Sequence, residues 1–181
     1  RANGDGRRSI SFNYTTDGNL SSISGGYPQF SVDYNGCSPL PCELSFADGT
    51  TQTFTYSERG WVETVTDKQG GVYHYQWNSA HQLVSIISEN DATATDYTYN
   101  SVGLVTSVTK RRLEDASADW YTIQYRYDAF GRLIAVHDPA TGSYTIAYGF
   151  TSSDDGTNLA QISVTDATGT TTRTTLDAAN R

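Results

Sequence analysis

Apolar and polar residues alternate along most of this chain. Tyr73, Tyr75 and Trp77 fall on one parity, and His74 and Gln76 on the other. Tyr121, Ile123, Tyr125 and Tyr127 repeat the pattern, as do Tyr144, Ile146, Tyr148 and Phe150. A period of two puts successive side chains on opposite faces, which marks a half-buried strand. No stretch carries a 3.6-residue period with helix caps. Short clusters of Asp, Asn, Thr, Pro and Gly separate the alternating runs, and these residues form turns. The pattern predicts strand, turn, strand, turn, repeated about seven times.

The turns share a frame. Tyr127-Asp128-Ala129-Phe130-Gly131-Arg132-Leu133-Ile134-Ala135-Val136 recurs with starts at Tyr14, Tyr56, Trp77 and Tyr99, and a shortened copy runs from Leu176 to Arg181. The starts at 56, 77 and 99 are 21 and 22 residues apart, and the next spacing stretches to 28. Position one is aromatic in the full copies, as expected at a strand end. Position two (Thr15, Ser57, Asn78, Asn100, Asp128, Asp177) carries a short polar side chain that can bond the backbone two residues on. Position five is Gly18, Gly60, His81, Gly103, Gly131 or Asn180. Glycine takes positive φ freely, and Asn and His are enriched substitutes there. Positions seven and ten are aliphatic and open the returning strand. A second turn follows three times, at Val65–Gly70, Val136–Gly142 and Val164–Gly169. Asp48-Gly49 is a shorter form with the type I′ hairpin signature.

Composition agrees with sheet. The 181 residues include thirteen Tyr, three Trp and six Phe, so the chain is too aromatic for a disordered one. Only 36% is apolar, and mean hydropathy is −0.51. No apolar run is long enough to span a membrane as a helix, and no charged-then-apolar start resembles a signal peptide. With Arg1 first and no Met, the sequence reads as a piece of a longer or processed chain. The net charge of −8 speaks against a phosphate-backbone partner, which needs clustered Lys and Arg. The one basic cluster, Lys110-Arg111-Arg112, runs straight into Glu114 and Asp115. No nucleic-acid partner and no cofactor are expected.

Cys37 and Cys42 flank Ser38-Pro39-Leu40-Pro41 in a loop near 36–43. A disulfide there would staple one loop and point to an oxidising compartment; the alternative is two free thiols in a reducing one. A zinc site is not expected, because a second ligand pair is missing.

The best copy, Tyr127 to Leu133 followed by Val136, Asp138 to Gly142 and a Tyr-rich strand ending at Tyr148, resembles the YD-repeat, or Rhs-repeat, family. The resemblance extends over roughly residues 10–181, with the other copies degenerate but in register. It implies an all-β chain of repeated antiparallel β-hairpins forming one continuous curved or spiralling sheet, with residues 1–181 as a single segment. Such repeats build a hollow shell in bacterial Rhs proteins, insecticidal toxin-complex cocoons and animal teneurins. In bacterial members the shell encloses a toxic C-terminal segment, and some members are linked to carbohydrate binding. The implied role is a non-catalytic wall segment that encloses or presents a cargo such as a toxin, in a secreted or exported bacterial protein at the cell surface or outside it. The rest of a larger repeat chain, or the enclosed toxin, is the implied partner. The alternative is an extracellular module that binds a carbohydrate or a protein partner. The family's terminal Asp-Pro-x-Gly-Leu motif is absent, since Asp138-Pro139 continues as Ala140-Thr141-Gly142. Self-cleavage and a toxin therefore do not carry over.

The repeat residues Tyr14, Gly18, Tyr56, Gly60, Trp77, His81, Tyr99, Gly103, Tyr127, Asp128, Gly131 and Arg132 are expected to be architectural. Trp61, Trp77 and Trp120 interrupt the Tyr pattern and are the candidate ligand-contact aromatics, a glycan being the candidate ligand. His74, His81 and His137 have local explanations and are not expected to be catalytic. Asp154-Asp155-Gly156-Thr157-Asn158 lacks the ligand spacing of a calcium loop. Residues 110–119 read as an insertion between strands. Neither a nucleophile elbow nor a phosphate loop is present, so no enzyme is expected. Open sheet edges predict edge-to-edge self-association.

Overall fold

The computed structural model describes residues 9–25, 29–114, 119–152 and 156–176, with the backbone alone at 119 and 120. Among them every regular element is a strand. Fifteen antiparallel strands stand in chain order in one sheet, each paired with its sequence neighbours. The chain divides into two compact units, Arg1–Thr93 and Ala94–Arg181.

The first unit holds β1 (Ser11–Tyr14), β2 (Leu20–Ser24), β3 (Phe30–Asp33), β4 (Glu43–Phe46), β5 (Thr51–Tyr56), β6 (Val62–Thr66), β7 (Val72–Trp77) and β8 (Leu83–Ser88). Its register sorts the side chains cleanly. Phe12, Ile23, Phe30 and Phe46 lie in one cross-strand row, and Phe54, Val65 and Tyr73 in another. The opposite face is a hydroxyl field: Asn13, Ser22, Ser31, Ser45 and Thr51 form one row, with Thr55, Thr64 and His74 in another. Hydroxyl pairs bond across it, as from Thr55 to Thr64 at 2.6 Å. Such pairs contribute roughly 0.2–1 kcal/mol each.

The second unit takes in β9 (Thr93–Tyr99) from Ala94 on, with β10 (Val105–Arg112), β11 (Asp119–Tyr127), β12 (Leu133–Asp138), β13 (Gly142–Ser152), β14 (Asn158–Thr165) and β15 (Thr171–Leu176). Again Tyr125, Val136 and Tyr144 share one face, while Gln124, His137 and Ser143 share the other. β10 runs through Lys110 and Arg111, which pair with Tyr121 and Asp119. The segment expected as an insertion is thus largely a longer hairpin, with a tip that starts at Leu113.

Neither face is sealed. Among the described apolar residues only Val65 (9% exposed) and Ala94 (1%) are buried. The chain exposes 12349 Å², against about 8,600 Å² for a compact protein of its mass. Within each unit, the described side chains are covered by their neighbours on the same face, with no second layer over them.

A bulge shapes four of the frames. Tyr127 pairs with Leu133, but Arg126 pairs with Ala135, so Ile134 is the extra residue. The same shift occurs at Tyr14, Tyr56 and Trp77. A bulge inserts one residue and so restores parity. It explains why positions seven and ten, three residues apart, both face the aromatic side: Leu133 sits opposite Tyr127, and Val136 opposite Tyr125. At Asp48-Gly49 the structure differs from the expected type I′ turn. That turn needs positive φ at both central residues, and only Gly49 (φ 82°) has it.

Candidate functional site

The turns are held by side chains at position two. The Asp128 Oδ1 accepts from the backbone N–H of Phe130 (2.9 Å) and of Arg132 (3.0 Å). Asn78 and Asn100 do the same in their copies. Thr15 and Ser57 have shorter side chains and accept only the second of these bonds. Gly131 has φ 77°, Gly18 83°, Gly60 79° and Gly103 87°. His81 adopts φ 66° where the other copies use glycine. The Asp128 carboxyl lies below its ordinary value: partial desolvation opposes this, and the donors of Arg132 and Phe130 outweigh it. Arg132 closes the copy by pairing with Asp128 at 2.7 Å and lying over the Tyr148 ring at 4.4 Å.

Several strand-end aromatics, three of them at position one, do more than cover their face. Tyr127 Oη donates to the carbonyl of Val105 at 2.8 Å, and Tyr148 Oη to that of Leu133 at 3.0 Å. Tyr56 Oη reaches the Pro41 carbonyl and Tyr34 Oη the Leu20 carbonyl, both at 2.8 Å. Trp77 belongs to the same series, its indole N–H bonding the Val62 carbonyl at 2.8 Å. Each acceptor lies at or just before the start of the preceding strand, so the ring donor ties a strand end to its neighbour's first carbonyl. Sequence reasoning placed these aromatics but missed the tethers. The signal was a hydroxyl or indole N–H recurring at strand ends, in Tyr56, Trp77 and Tyr127 at position one of the frame.

A cleft of about 590 Å³ opens in the first unit between the Cys loop, Gly36 to Leu40, and the turn from Tyr56 to Gly60. Cys37 and Cys42 are joined as a disulfide, with Cα atoms 5.6 Å apart. At that turn Trp61 packs 4.6 Å from the His81 ring and 6.1 Å from Trp77, and the Arg59 guanidinium lies 5.7 Å from the Trp61 ring. The structure thus brings together Trp61, Trp77 and His81, next in the chain to Arg59 and Gly60 of the cleft but not in its lining. The side chain of Trp120 falls outside the described residues, as do Asp154, Asp155 and the shortened copy after Leu176. His74 meets Glu89 at 2.5 Å. Among the described residues no group of three His, Cys, Asp or Glu is placed to hold a metal ion.

Residues 117–143 match the family model described as RHS Repeat. The match takes in the Tyr127 frame and the turn that follows it. No curated protein matches the sequence. Among solved structures, the chain is similar to a crystal structure of TcdB2-TccC3-Cdc42, at 15% identity and a TM-score of 0.59. It is also similar to the Photorhabdus luminescens Tc holotoxin pore carrying a TccC3 mutation, at 12% identity and a TM-score of 0.60. In both the likeness covers 93% of this chain but 11% of the other. At such identities the shared property is the fold.

Proposed function

We propose that residues 1–181 form one non-catalytic wall segment of an Rhs-type shell, a shell that encloses or presents a cargo such as a toxin. The observation that carries this reading is the sheet itself: hairpins added in chain order, one face aromatic and one hydroxylated, with no second layer. Such a sheet gains from continuing at both edges and from having its aromatic face turned away from bulk water. The RHS repeat and the fold shared with Tc toxin structures, of which the chain spans about a ninth, support the same role. The partners are then the rest of a larger repeat chain and the enclosed cargo. A disulfide loop suits a secreted or exported protein.

The test expresses the chain with its natural flanking sequence and follows proteolysis. The cargo segment is expected to survive while the wall is intact, and to be cut when Gly25→Val breaks the wall. Cargo cut equally fast in both would overturn the enclosure.

The Trp61 cluster beside the Cys-loop cleft favours a second reading, a glycan- or partner-binding module. Its measurement is a glycan-array screen followed by titration on Trp fluorescence. Saturable binding lost in Trp61→Ala, with the fold intact, would establish it; an array without binding would leave Trp61 as packing.

A further inference from the structure

The repeat frame supplies its own control, because the same cross-strand register recurs from copy to copy. The residue before the aromatic faces position nine across the hydroxylated face. Asn13 bonds Ser22 at 2.8 Å, Thr55 bonds Thr64 at 2.6 Å, and Thr98 bonds Ser107 at 2.7 Å. Gln76 faces Ser85 in the same register. The copy that starts at Tyr127 breaks the rule, pairing Arg126 with Ala135. A methyl group cannot accept a hydrogen bond, and it is shorter than a hydroxyl-bearing chain. The result is a groove of about 270 Å³ above Ala135, bordered by Arg126, Gln124, His137, Ser143 and Thr145. Among the described residues nothing pairs with the Arg126 guanidinium, and the groove has no acidic wall, although the chain carries a net charge of −8. Ser143 and His137 are bonded to each other at 2.8 Å, which fixes that wall.

We propose that this groove binds a small hydroxylated carboxylate, with Arg126 gripping the carboxylate and the hydroxyl and amide groups of Gln124, Ser143 and Thr145 meeting its hydroxyls. A guanidinium presents two parallel N–H donors that match a carboxylate. Tyr144 and the His137 ring also line the groove, but only the Arg126 guanidinium in its lining carries a fixed charge, so the grip is assigned to charge and hydrogen bonds. The site is separate from the Cys-loop cleft and does not depend on the shell reading.

The experiment is an amide-resolved NMR titration of the purified chain with tartrate and glucuronate, at constant ionic strength, with glucose as the uncharged control. Wild type is expected to give saturable shifts centred on Ala135 and Thr145. Arg126→Gln, which rebuilds the residue found at Gln76, should weaken binding about tenfold or more. Ala135→Ser, which rebuilds Ser85, should weaken it several-fold by giving Arg126 an internal partner. Both residues already occur at these positions in another copy, so the fold should hold, as the unperturbed remainder of the spectrum will show. Equal affinity in wild type and Arg126→Gln, absence of saturation in wild type, or the same shifts with glucose would each overturn the assignment.

Discussion

Removing one hydroxyl tests the tethers directly. Tyr127→Phe and Tyr148→Phe each delete a donor to a strand-start carbonyl, at 2.8 Å and 3.0 Å, and leave the ring in place. The net loss for such a bond is about 1 kcal/mol, within a range of roughly 0.5–1.5, since water replaces the partner where it can reach. Both tyrosines are only half-buried, so the lower half of that range applies to a carbonyl that rehydrates and the upper half to one that stays screened by the ring. Tyr144→Phe is the control: Tyr144 lies on the same face, opposite Val136, and no bond to its hydroxyl exists among the described residues. Its expected change is near zero. Urea denaturation followed by Trp fluorescence and far-UV circular dichroism measures all three. The double mutant Tyr127→Phe/Tyr148→Phe should depart from the sum of the two, because Tyr127 faces Leu133, whose carbonyl accepts from Tyr148. If the tether mutants match the Tyr144 control, the hydroxyls are solvated ornaments of the rings and the tether argument is wrong.

Glycine substitutions should separate turn strain from steric conflict. Gly131→Ala meets nothing closer than Leu104 Cδ1 at 3.5 Å and should cost about 1–2 kcal/mol from its positive φ alone. Gly142→Ala adds a contact of 2.4 Å with Ala167 Cβ and should cost clearly more in the same denaturation assay; equal costs would refute the packing at that turn. The Asp48, Asp138 and Asp166 carboxyls lie below their ordinary value mainly through side-chain donors from Thr50, Tyr121 and Thr168 respectively. A depressed folded-state pKa adds stability that is complete above the unfolded value, about 3.9, and is lost as pH falls through the folded one. Urea midpoints should therefore drop below about pH 4, and less steeply in Asp166→Asn; a midpoint flat down to pH 2 would contradict the turn bonding. Reducing the Cys37–Cys42 bridge should cost about 2 kcal/mol by the loop-entropy estimate, read as a shifted urea midpoint with and without reductant. Finally, light scattering should show concentration-dependent association that weakens in Phe12→Lys, since Phe12 is 54% exposed on the edge strand β1; a monomer at all concentrations would argue against open edges.

Strand positions and turn chemistry were legible in the sequence because both depend on neighbours. Tyr73, Tyr75 and Trp77 alternate by themselves, and Asp128 bonds amides two and four residues ahead. The bulge was not legible. Leu133 and Val136 are spaced by three, which by parity alone puts them on opposite faces, and only the pairing partner shows that Ile134 is extra. The tethers were hidden for a related reason, since Tyr148 and its acceptor Leu133 are fifteen residues apart and meet through a register that the sequence does not state. The unsealed faces were hidden too: an apolar face reads the same whether another layer lies over it or not. At the Trp61 cluster, position four to six of one turn meets position five of the next copy, so Trp61 and His81 become neighbours through strand spacing rather than sequence spacing.

The in-order pairing within each unit also has a mechanical consequence. A strand pulled from the end of such a sheet is peeled from a single neighbour, and its hydrogen bonds break in succession instead of under a shared load. Resistance then depends on the width of one hairpin and hardly at all on how many follow. Released again, the strand finds its register beside the next one, since its partner is always adjacent in the chain. A sheet connected this way can be unravelled and rewound from a terminus with small forces, like a ribbon drawn off a spool.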